Sequence, residues 1–214
     1  MIDTSIIFVQ YSQDDAKSHY SRESIKQFWR LAQKDTEHKV EIIVINNGKQ
    51  DYDFKEYCHI YKDNPENNFA YARNWGFDNS HGKYVCFVDN DIYPDYFFWR
   101  DCKELLEKYS DKKFIATPIY TGCHIYSKRC AKGEIDGHLL NKRSGSNCLY
   151  MGRETFKDLG YFREDLPRHR VGVEFCNRQI ANGYLMIHTR YGLARDMGIF
   201  GHKFNVGTQA NTKN

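Results

Sequence analysis

The chain has 214 residues, of which 41% are hydrophobic and 28% charged, and this composition predicts one folded domain rather than a disordered or fibrous protein. Mean hydropathy is −0.74 and the apolar runs are far shorter than the ~20 residues of a membrane span, so no transmembrane helix is predicted. Polar residues at 10–17 interrupt any secretory signal, so we expect a cytoplasmic protein. The formal net charge of +3 is too small to require a nucleic-acid partner.

Strands and helices alternate at the beginning of the chain. Apolar runs at 5–11 and 40–45 predict strands that are buried on both faces of a parallel sheet. Apolar residues at helical spacing between them predict an amphipathic helix from 21 to about 35, with Ser21 as its N-cap. A strand, a helix and a parallel strand in this order form a right-handed βαβ unit.

The alternation of strands and helices continues to residue 117. The next predicted elements are a weak strand at 58–61, a helix from Phe69 that stops before Gly82, a strand at 83–88, a helix at 98–109 capped by Asp95, and a strand at 114–117. This order is typical of an α/β domain with a parallel sheet.

The second half of the chain changes character. Residues 118–150 are rich in glycine and polar residues, which predicts loops and short strands of the kind that form a substrate lid. The elements predicted after them are a short helix at 153–159 stopped by Gly160, a helix near 173–182 stopped by Gly183, and a strand at 184–189 in which His188 is packed.

The seven cysteines are an odd number without a CxxC pair, which favours reduced thiols over disulfides. A zinc site at Cys123, His124, Cys130 and His138 is disfavoured because the spacing matches no closed four-ligand pattern.

Two carboxylates, Asp89 and Asp91, directly follow the buried strand at 83–88. Ligands of open α/β sheets bind outside the carboxyl ends of the strands. Mg²⁺ and Mn²⁺ prefer oxygen ligands, and Mg²⁺ is often shared with substrate phosphates. This D-x-D pattern therefore predicts a divalent metal site for a diphosphate, and its alternative is an acidic turn that caps the next helix.

Five segments add context to this motif: Val40-Glu-Ile-Ile-Val-Ile-Asn-Asn-Gly48, Asn64-Pro-Glu-Asn-Asn68, Ala72-Arg73-Asn74, Gly82-Lys-Tyr-Val-Cys-Phe-Val-Asp-Asn-Asp91 and Leu159-Gly-Tyr-Phe162. Their order and spacing resemble the GT-A fold glycosyltransferases, particularly family 2, over about residues 5–187. The resemblance implies a single α/β domain with a Rossmann-like, mostly parallel sheet flanked by helices. Its nucleotide-sugar half would be about 1–117, its acceptor and lid half about 118–202, and its tail 203–214.

The resemblance also implies a nucleoside diphosphate sugar as donor, with a UDP-sugar favoured. The residues that would contact the donor are Tyr11, Gln13, Asn46, Asn47, Asn68, Arg73, Asp89 and Asn90. In relatives the second strand often ends in an Asp pair, whereas this chain has amides, which still donate and accept hydrogen bonds. For Asn68 and Arg73 the alternative is a capping Asn and a solvated helix Arg.

The resemblance further implies a bound Mn²⁺ or Mg²⁺. Asp91 would be a direct ligand, Asp89 would contact the metal or the ribose, and either Asp196 or His202 would complete the site. Asp offers carboxylate oxygens and His a neutral imidazole as ligands.

The general base is the part of the family pattern from which this chain departs. The acidic pair that supplies the base in relatives falls on Val171 and Gly172. Glu174 is the leading replacement, with Glu164 or Asp165 as substitutes, and the alternative for Glu174 is a structural partner of Arg178.

The resulting expectation is a metal-dependent glycosyltransferase, inverting as the family resemblance implies, with a retaining outcome left open by the missing acidic pair. The alternative is a catalytically degenerate module that binds a nucleotide or glycan without turnover. A sugar nucleotidyltransferase is disfavoured because the loop after the first strand lacks the expected glycines and basic residues.

The acceptor would be a glycan, a lipid-linked sugar, a protein side chain or a modified base in DNA. A basic cluster, Arg163, Arg168, His169 and Arg170, would face an anionic acceptor or phosphate, or form solvated surface.

Overall fold

The computed structural model describes residues 1–11, 15–47, 54–94, 96–121, 131–142 and 147–196. Its strands are β1 (Thr4–Gln10), β2 (Val40–Asn47), β3 (Ile60–Asn64), β4 (Tyr84–Asp89), β5 (Ile92–Pro94), β6 (Phe114–Thr121), β7 (Ala131–Ile135), β8 (His138–Asn141), β9 (Cys148–Gly152) and β10 (Leu185–Asp196). Its α-helices are α1 (Asp15–Lys34), α2 (Phe69–Asp78), α3 (Phe98–Lys108), α4 (Arg153–Leu159) and α5 (Arg168–Ala181). A 3-10 turn at Lys55–Tyr57 precedes β3.

One mixed sheet contains all of these strands, in the order β3-β2-β1-β4-β9-β6-β10-β8-β7, with β5 paired to β10. The strands β3, β2, β1 and β4 are mutually parallel, as the sequence predicts. Strand β9 then lies antiparallel between β4 and β6. The carboxyl ends of β1, β2 and β4 consequently meet at one edge, which positions the predicted donor residues.

Helices cover both faces of the sheet, and alternate residues of each central strand enter opposite cores. Ile6 and Phe8 pack with α1 and α3 on one face. Ile7 and Val9 pack with α2, α4 and α5 on the other. Because each strand is buried on both sides, its sequence is a continuous apolar run rather than an alternating one.

Helix starts are where the sequence predictions are least accurate. Helix α1 begins at Asp15, so Ser21 lies inside the helix and its buried hydroxyl donates a hydrogen bond to Gln10 instead of capping the helix. Helix α3 begins after Phe97, which makes no side-chain cap, while Asp95 lies outside the described residues. Helix α5 begins at Arg168, five residues before the predicted start.

Helix ends follow the sequence closely, because glycine accepts a backbone conformation that other residues avoid. Helix α4 spans the predicted residues and stops at Gly160, where φ is 81°. Gly183 follows the end of α5 with a φ of 79°. The strands β7, β8 and β9 confirm the short strands predicted within 118–150.

Five cysteines lie among the described residues, and all are free thiols, as predicted. Cys123, His124 and Cys130 of the disfavoured zinc site lie outside those residues. His138 contacts the carbonyl oxygen of His188 through its Nδ1 at 3.2 Å.

No helix in the described part of the chain combines the length and apolarity needed to cross a membrane.

Candidate functional site

A cleft of about 450 Å³ opens at the carboxyl end of β4. The residues that line it come from the start of α2, the end of β4 and the first turns of α5: Phe69, Asp89, Arg168, His169, Gly172 and Val173. This is the place at which parallel α/β sheets bind ligands.

Asp89, the last residue of β4, is held by a buried arginine. Its Oδ1 accepts a hydrogen bond of 2.7 Å from Nη2 of Arg73, whose side chain is 1% exposed against 31% for the carboxylate. The guanidinium also lies over the rings of Phe69 and Phe162, at 4.4 and 5.1 Å from their centroids. The solvated-arginine alternative is therefore wrong: Arg73 is a core cation that positions Asp89 at the cleft.

The cleft also has a second cation on its α5 wall. Arg168 lies over the rings of Tyr11 and Phe69, at 4.5 and 5.3 Å from their centroids. Burial lowers the pKa of Arg73, the carboxylate of Asp89 opposes that change, and the charge of Arg168 adds to it. The two guanidiniums therefore contribute positive potential to one small region.

The turn after β4 is anchored by Asn90 at its centre. The Nδ2 group of Asn90 is within 3.0 Å of Gln10 Oε1, of the carbonyl oxygen of Tyr11 and of Ser21 Oγ. These contacts join the Asp89–Asp91 turn to the end of β1. Gln13, predicted in the same loop as Tyr11, lies outside the described residues.

The two amides at the end of β2 are buried in a polar network. The Oδ1 atom of Asn47 accepts a hydrogen bond from Asn64 Nδ2 at 2.6 Å, and its Nδ2 donates one to Asn67 Oδ1 at 2.8 Å. The Nδ2 group of Asn46 donates to Asp63 at 3.1 Å. These side chains therefore bond to β3 and to the turn that follows it.

Asn68 combines a cap with a long-range contact. Its Oδ1 accepts from the Tyr71 amide at 3.0 Å and caps α2, while its Nδ2 donates to the Glu164 carbonyl at 3.1 Å. The neighbouring side chain of Asn74 bonds to both main-chain groups of Phe162 at 2.9 and 3.0 Å. These contacts tie α2 to the segment that leads into α5, across the cleft.

The structure places both predicted bases in ion pairs away from the cleft lining. Glu174 makes a bidentate pair with Arg178, with Oε1 and Oε2 at 3.0 and 2.9 Å from Nε and Nη2. Asp165 is 63% exposed and pairs with Arg163. Arg163 holds the pKa of Asp165 below its usual value through a hydrogen bond, which makes that carboxylate a weaker proton acceptor. The structural-partner alternative for Glu174 accounts for its contacts.

The metal ligands predicted from the sequence are only partly within view. Asp89 and Asp91 flank Asn90 on one turn, and the Cα of Asp196 pairs in register with that of Ile92, the residue after Asp91. His202 lies outside the described residues. No cluster of three His, Cys, Asp or Glu side chains suited to a metal occurs within the described ranges. Two carboxylates still fit Mg²⁺, which commonly takes one or two carboxylates and completes its shell with phosphate oxygens and water.

Sequence reasoning missed how α5 enters the site. Phe69, Gly172 and Val173 line the cleft although none was a candidate residue, and His169 had been placed only in a basic cluster. Pro167, directly before the first residue of α5, is the signal that indicates the earlier helix start.

Comparison with known proteins agrees with this architecture. The sequence model of the family described as Glycosyl transferase family 2 matches residues 18–148. No curated protein matches the chain at a significant level.

Solved structures resemble most of the chain at low sequence identity. S. aureus TarS shares 14% identity, with a TM-score of 0.68 over 92% of this chain and 37% of its own. GalNAc-T7 with UDP, GalNAc and Mn²⁺ shares 12% identity, with a TM-score of 0.67 over 91% of this chain and 44% of its own. S. aureus TarS 1-349 in complex with UDP-GlcNAc shares 13% identity, with a TM-score of 0.66 over 91% of this chain and 58% of its own. The chain thus spans less than two thirds of each of these proteins, and the likeness establishes the GT-A fold.

Proposed function

Because the chain belongs to glycosyl transferase family 2, we propose that it transfers a sugar from a UDP-sugar to an acceptor hydroxyl with inversion, in a reaction that depends on a divalent metal. The observation that carries this proposal is the cleft at the end of β4, where Asp89 is fixed by the buried Arg73. Neighbouring folds that bind UDP and UDP-GlcNAc support the choice of donor.

The charges around the cleft suit a nucleoside diphosphate. Arg168 belongs to the lining, and among the described residues it forms no ion pair. Arginine recognises phosphate through several donors in a planar fork. The N-terminus of α5 lies on the same wall and adds the favourable end of a helix dipole for an anion.

Asp89 and Asp91 would hold the metal on the turn that Asn90 anchors. When bound, Mn²⁺ or Mg²⁺ supplies charge stabilisation for a leaving diphosphate. Either Asp196, whose Cα lies opposite Ile92, or His202 is the proposed further ligand. Asn46, Asn47 and Tyr11 belong to the neighbouring ends of β1 and β2, where we place the base and ribose.

A second candidate is a module that binds a nucleotide sugar or glycan without turnover. The ion pairs of Glu174 and Asp165 favour it, because both predicted bases are engaged outside the cleft lining. The two candidates differ in turnover, and donor binding is required of the transferase alone.

Calorimetric titration with UDP, GDP, CDP and TDP, each with and without Mn²⁺, tests the proposal. We expect UDP to bind at least tenfold more tightly with Mn²⁺ than without it. Binding of none of the four diphosphates under either condition would contradict the transferase and leave only the module that binds a glycan. Metal-dependent binding without any release of sugar would favour the non-catalytic module.

Asp91→Asn is the variant that tests the metal assignment. We expect it to lose the Mn²⁺-dependent part of UDP affinity, because a neutral amide is a poorer ligand for a hard cation. Asp111→Asn is the matched control, since Asp111 is 70% exposed and pairs with Lys112 in the turn after α3. Equal Mn²⁺ dependence in Asp91→Asn and the wild type would refute the assignment.

A further inference from the structure

The proposed transfer needs a proton acceptor inside the cleft, and the following inference rests on that proposed function. A hydroxyl oxygen that attacks the anomeric carbon must lose its proton. The acidic pair of the family pattern is replaced by Val171 and Gly172. The group that takes the proton therefore has to come from another side chain of the cleft.

Among the described residues that line the cleft, Asp89 is the one carboxylate, and Glu164, whose Oε1 accepts from Asn74 at 2.8 Å, does not belong to the lining. Glu174 and Asp165 are held by Arg178 and Arg163 and do not belong to the cleft lining. Asp89 does line the cleft, but its Oδ1 is bound at 2.7 Å by the buried guanidinium of Arg73. A proton on Asp89 would also remove one negative charge that pairs with that buried cation, which is costly.

His169 lines the cleft from the first turn of α5. Gly172, three residues later, lies on the same helix face and also lines the cleft, and its lack of a side chain leaves that wall open beside the imidazole. Neutral imidazole accepts a proton through a ring nitrogen. The charged groups that share this cleft with His169 are Asp89 from β4 and Arg168 from its own turn.

We propose that His169 is the general base of the transfer. The acceptor hydroxyl gives its proton to a ring nitrogen of His169 while its oxygen forms a bond to the anomeric carbon of the sugar. The bond between that carbon and the diphosphate oxygen breaks, and the UDP leaves with the electron pair.

His169→Gln tests this assignment with water as the acceptor. The assay measures Mn²⁺-dependent hydrolysis of UDP-glucose, UDP-galactose, UDP-GlcNAc and UDP-GalNAc. We expect kcat to fall at least about 100-fold, the usual contribution of a general base, with the Kd for UDP within about threefold of wild type. His169 is exposed, so the variant should keep the thermal midpoint of the wild type.

Chemical rescue separates a base from a structural role. Added imidazole should raise the kcat of a His169→Gly variant at least tenfold over its kcat without imidazole. His19→Gln is the matched control, since His19 is an exposed histidine of α1 outside the cleft lining and should keep wild-type kcat. Wild-type kcat in His169→Gln, or no rescue of the Gly variant, overturns the assignment while leaving the transferase proposal in place. A wild-type protein that binds no UDP, or that binds UDP but hydrolyses none of the four UDP-sugars, overturns the transferase proposal and the assignment of His169 together.

Discussion

Two arginine–carboxylate pairs on the α2–α5 side of the sheet differ in burial, and this difference separates their roles. Arg73 is 1% exposed and pairs with Asp89, whereas Arg178 and Glu174 are 24% and 25% exposed and lie one helical turn apart. Arg178 also donates to the carbonyl oxygens of Leu159 and Tyr161 at 2.5 and 2.9 Å. Loss of Glu174 therefore leaves a partly solvated cation with other acceptors, while loss of Asp89 leaves a buried one.

We expect Asp89→Asn to lower the free energy of unfolding by about 3 kcal/mol, because removing one charge of an ion pair with a buried partner is costly. Glu174→Gln should cost about 0.5 kcal/mol, as for an ordinary i,i+4 pair. Urea denaturation of both variants measures the difference. Equal losses would show that burial of Arg73 does not set the cost.

Glu174→Gln should also keep UDP-sugar hydrolysis within about threefold of wild type if His169 is the base, which general-base catalysis by Glu174 would not allow.

At the scale of elements, the position of the site depends on how closely α2 approaches the sheet. Gly76 is the contact point: a Cβ added there would lie 2.5 Å from Cγ2 of Ile7 on β1 and 3.0 Å from Cδ1 of Ile45 on β2. The same helix begins at Phe69 of the cleft and carries Arg73, so a shift of α2 moves both residues. The close approach explains why a residue with poor helix propensity occupies the middle of this helix.

Gly76→Ala should destabilise the protein by about 2 kcal/mol through overpacking, although alanine is the better helix former. The variant should also weaken UDP binding, since Arg73 and Phe69 move with the helix. Gly152→Ala is the matched control, because an added Cβ there meets Thr155 Oγ1 at 3.6 Å, an ordinary contact, and φ is −62°. A Gly76→Ala protein as stable as Gly152→Ala, measured by urea denaturation, would disprove the close-packing argument.

At the scale of the whole molecule, acid should destabilise the fold through particular buried groups. His188 is fully buried in β10, as its apolar setting predicts, and burial lowers its pKa to about 4. Asp35 joins α1 to α3: burial raises its pKa, but hydrogen bonds from Arg100 and Trp99 outweigh this and bring the pKa to about 2. Both groups bind protons more readily in the unfolded chain, so stability is lost as pH falls.

His188 acts first, because its unfolded pKa is about 6.5 and its folded pKa about 4. Its contribution is complete above pH 6.5 and is lost on the way down to pH 4, about 3 kcal/mol in all. Asp35 acts in the next window, from about pH 4 to pH 2. Urea denaturation between pH 7 and pH 4.5 measures how the free energy of unfolding changes with pH. We expect the free energy of unfolding of the wild type to fall as the pH falls, and His188→Gln to reduce this dependence. The exposed-site variant His19→Gln should keep the wild-type dependence. An unchanged slope in His188→Gln would show that this imidazole does not set the acid response.

Local patterns in the sequence determined the alternating strands and helices, the glycine stops at Gly160 and Gly183, and the placement of Asp89 and Asp91 after a buried strand. These features are readable because apolar periodicity and turn chemistry act over a few neighbouring residues. The family resemblance added the GT-A fold to this α/β pattern, and the match to Glycosyl transferase family 2 and the GT-A neighbours confirms it.

Tertiary structure alone decided which side chains meet. The insertion of β9 between β4 and β6, the burial of Arg73 against Phe162, and the approach of His169 to the cleft that Asp89 lines all join residues about 30 to 90 positions apart. Such contacts depend on sheet order and on the residue at which α5 begins, and no periodic pattern in either segment encodes them. The sequence therefore located the carboxylates, while the tertiary structure showed that Arg73 is buried beside Asp89 and that Arg168 and His169 line the cleft.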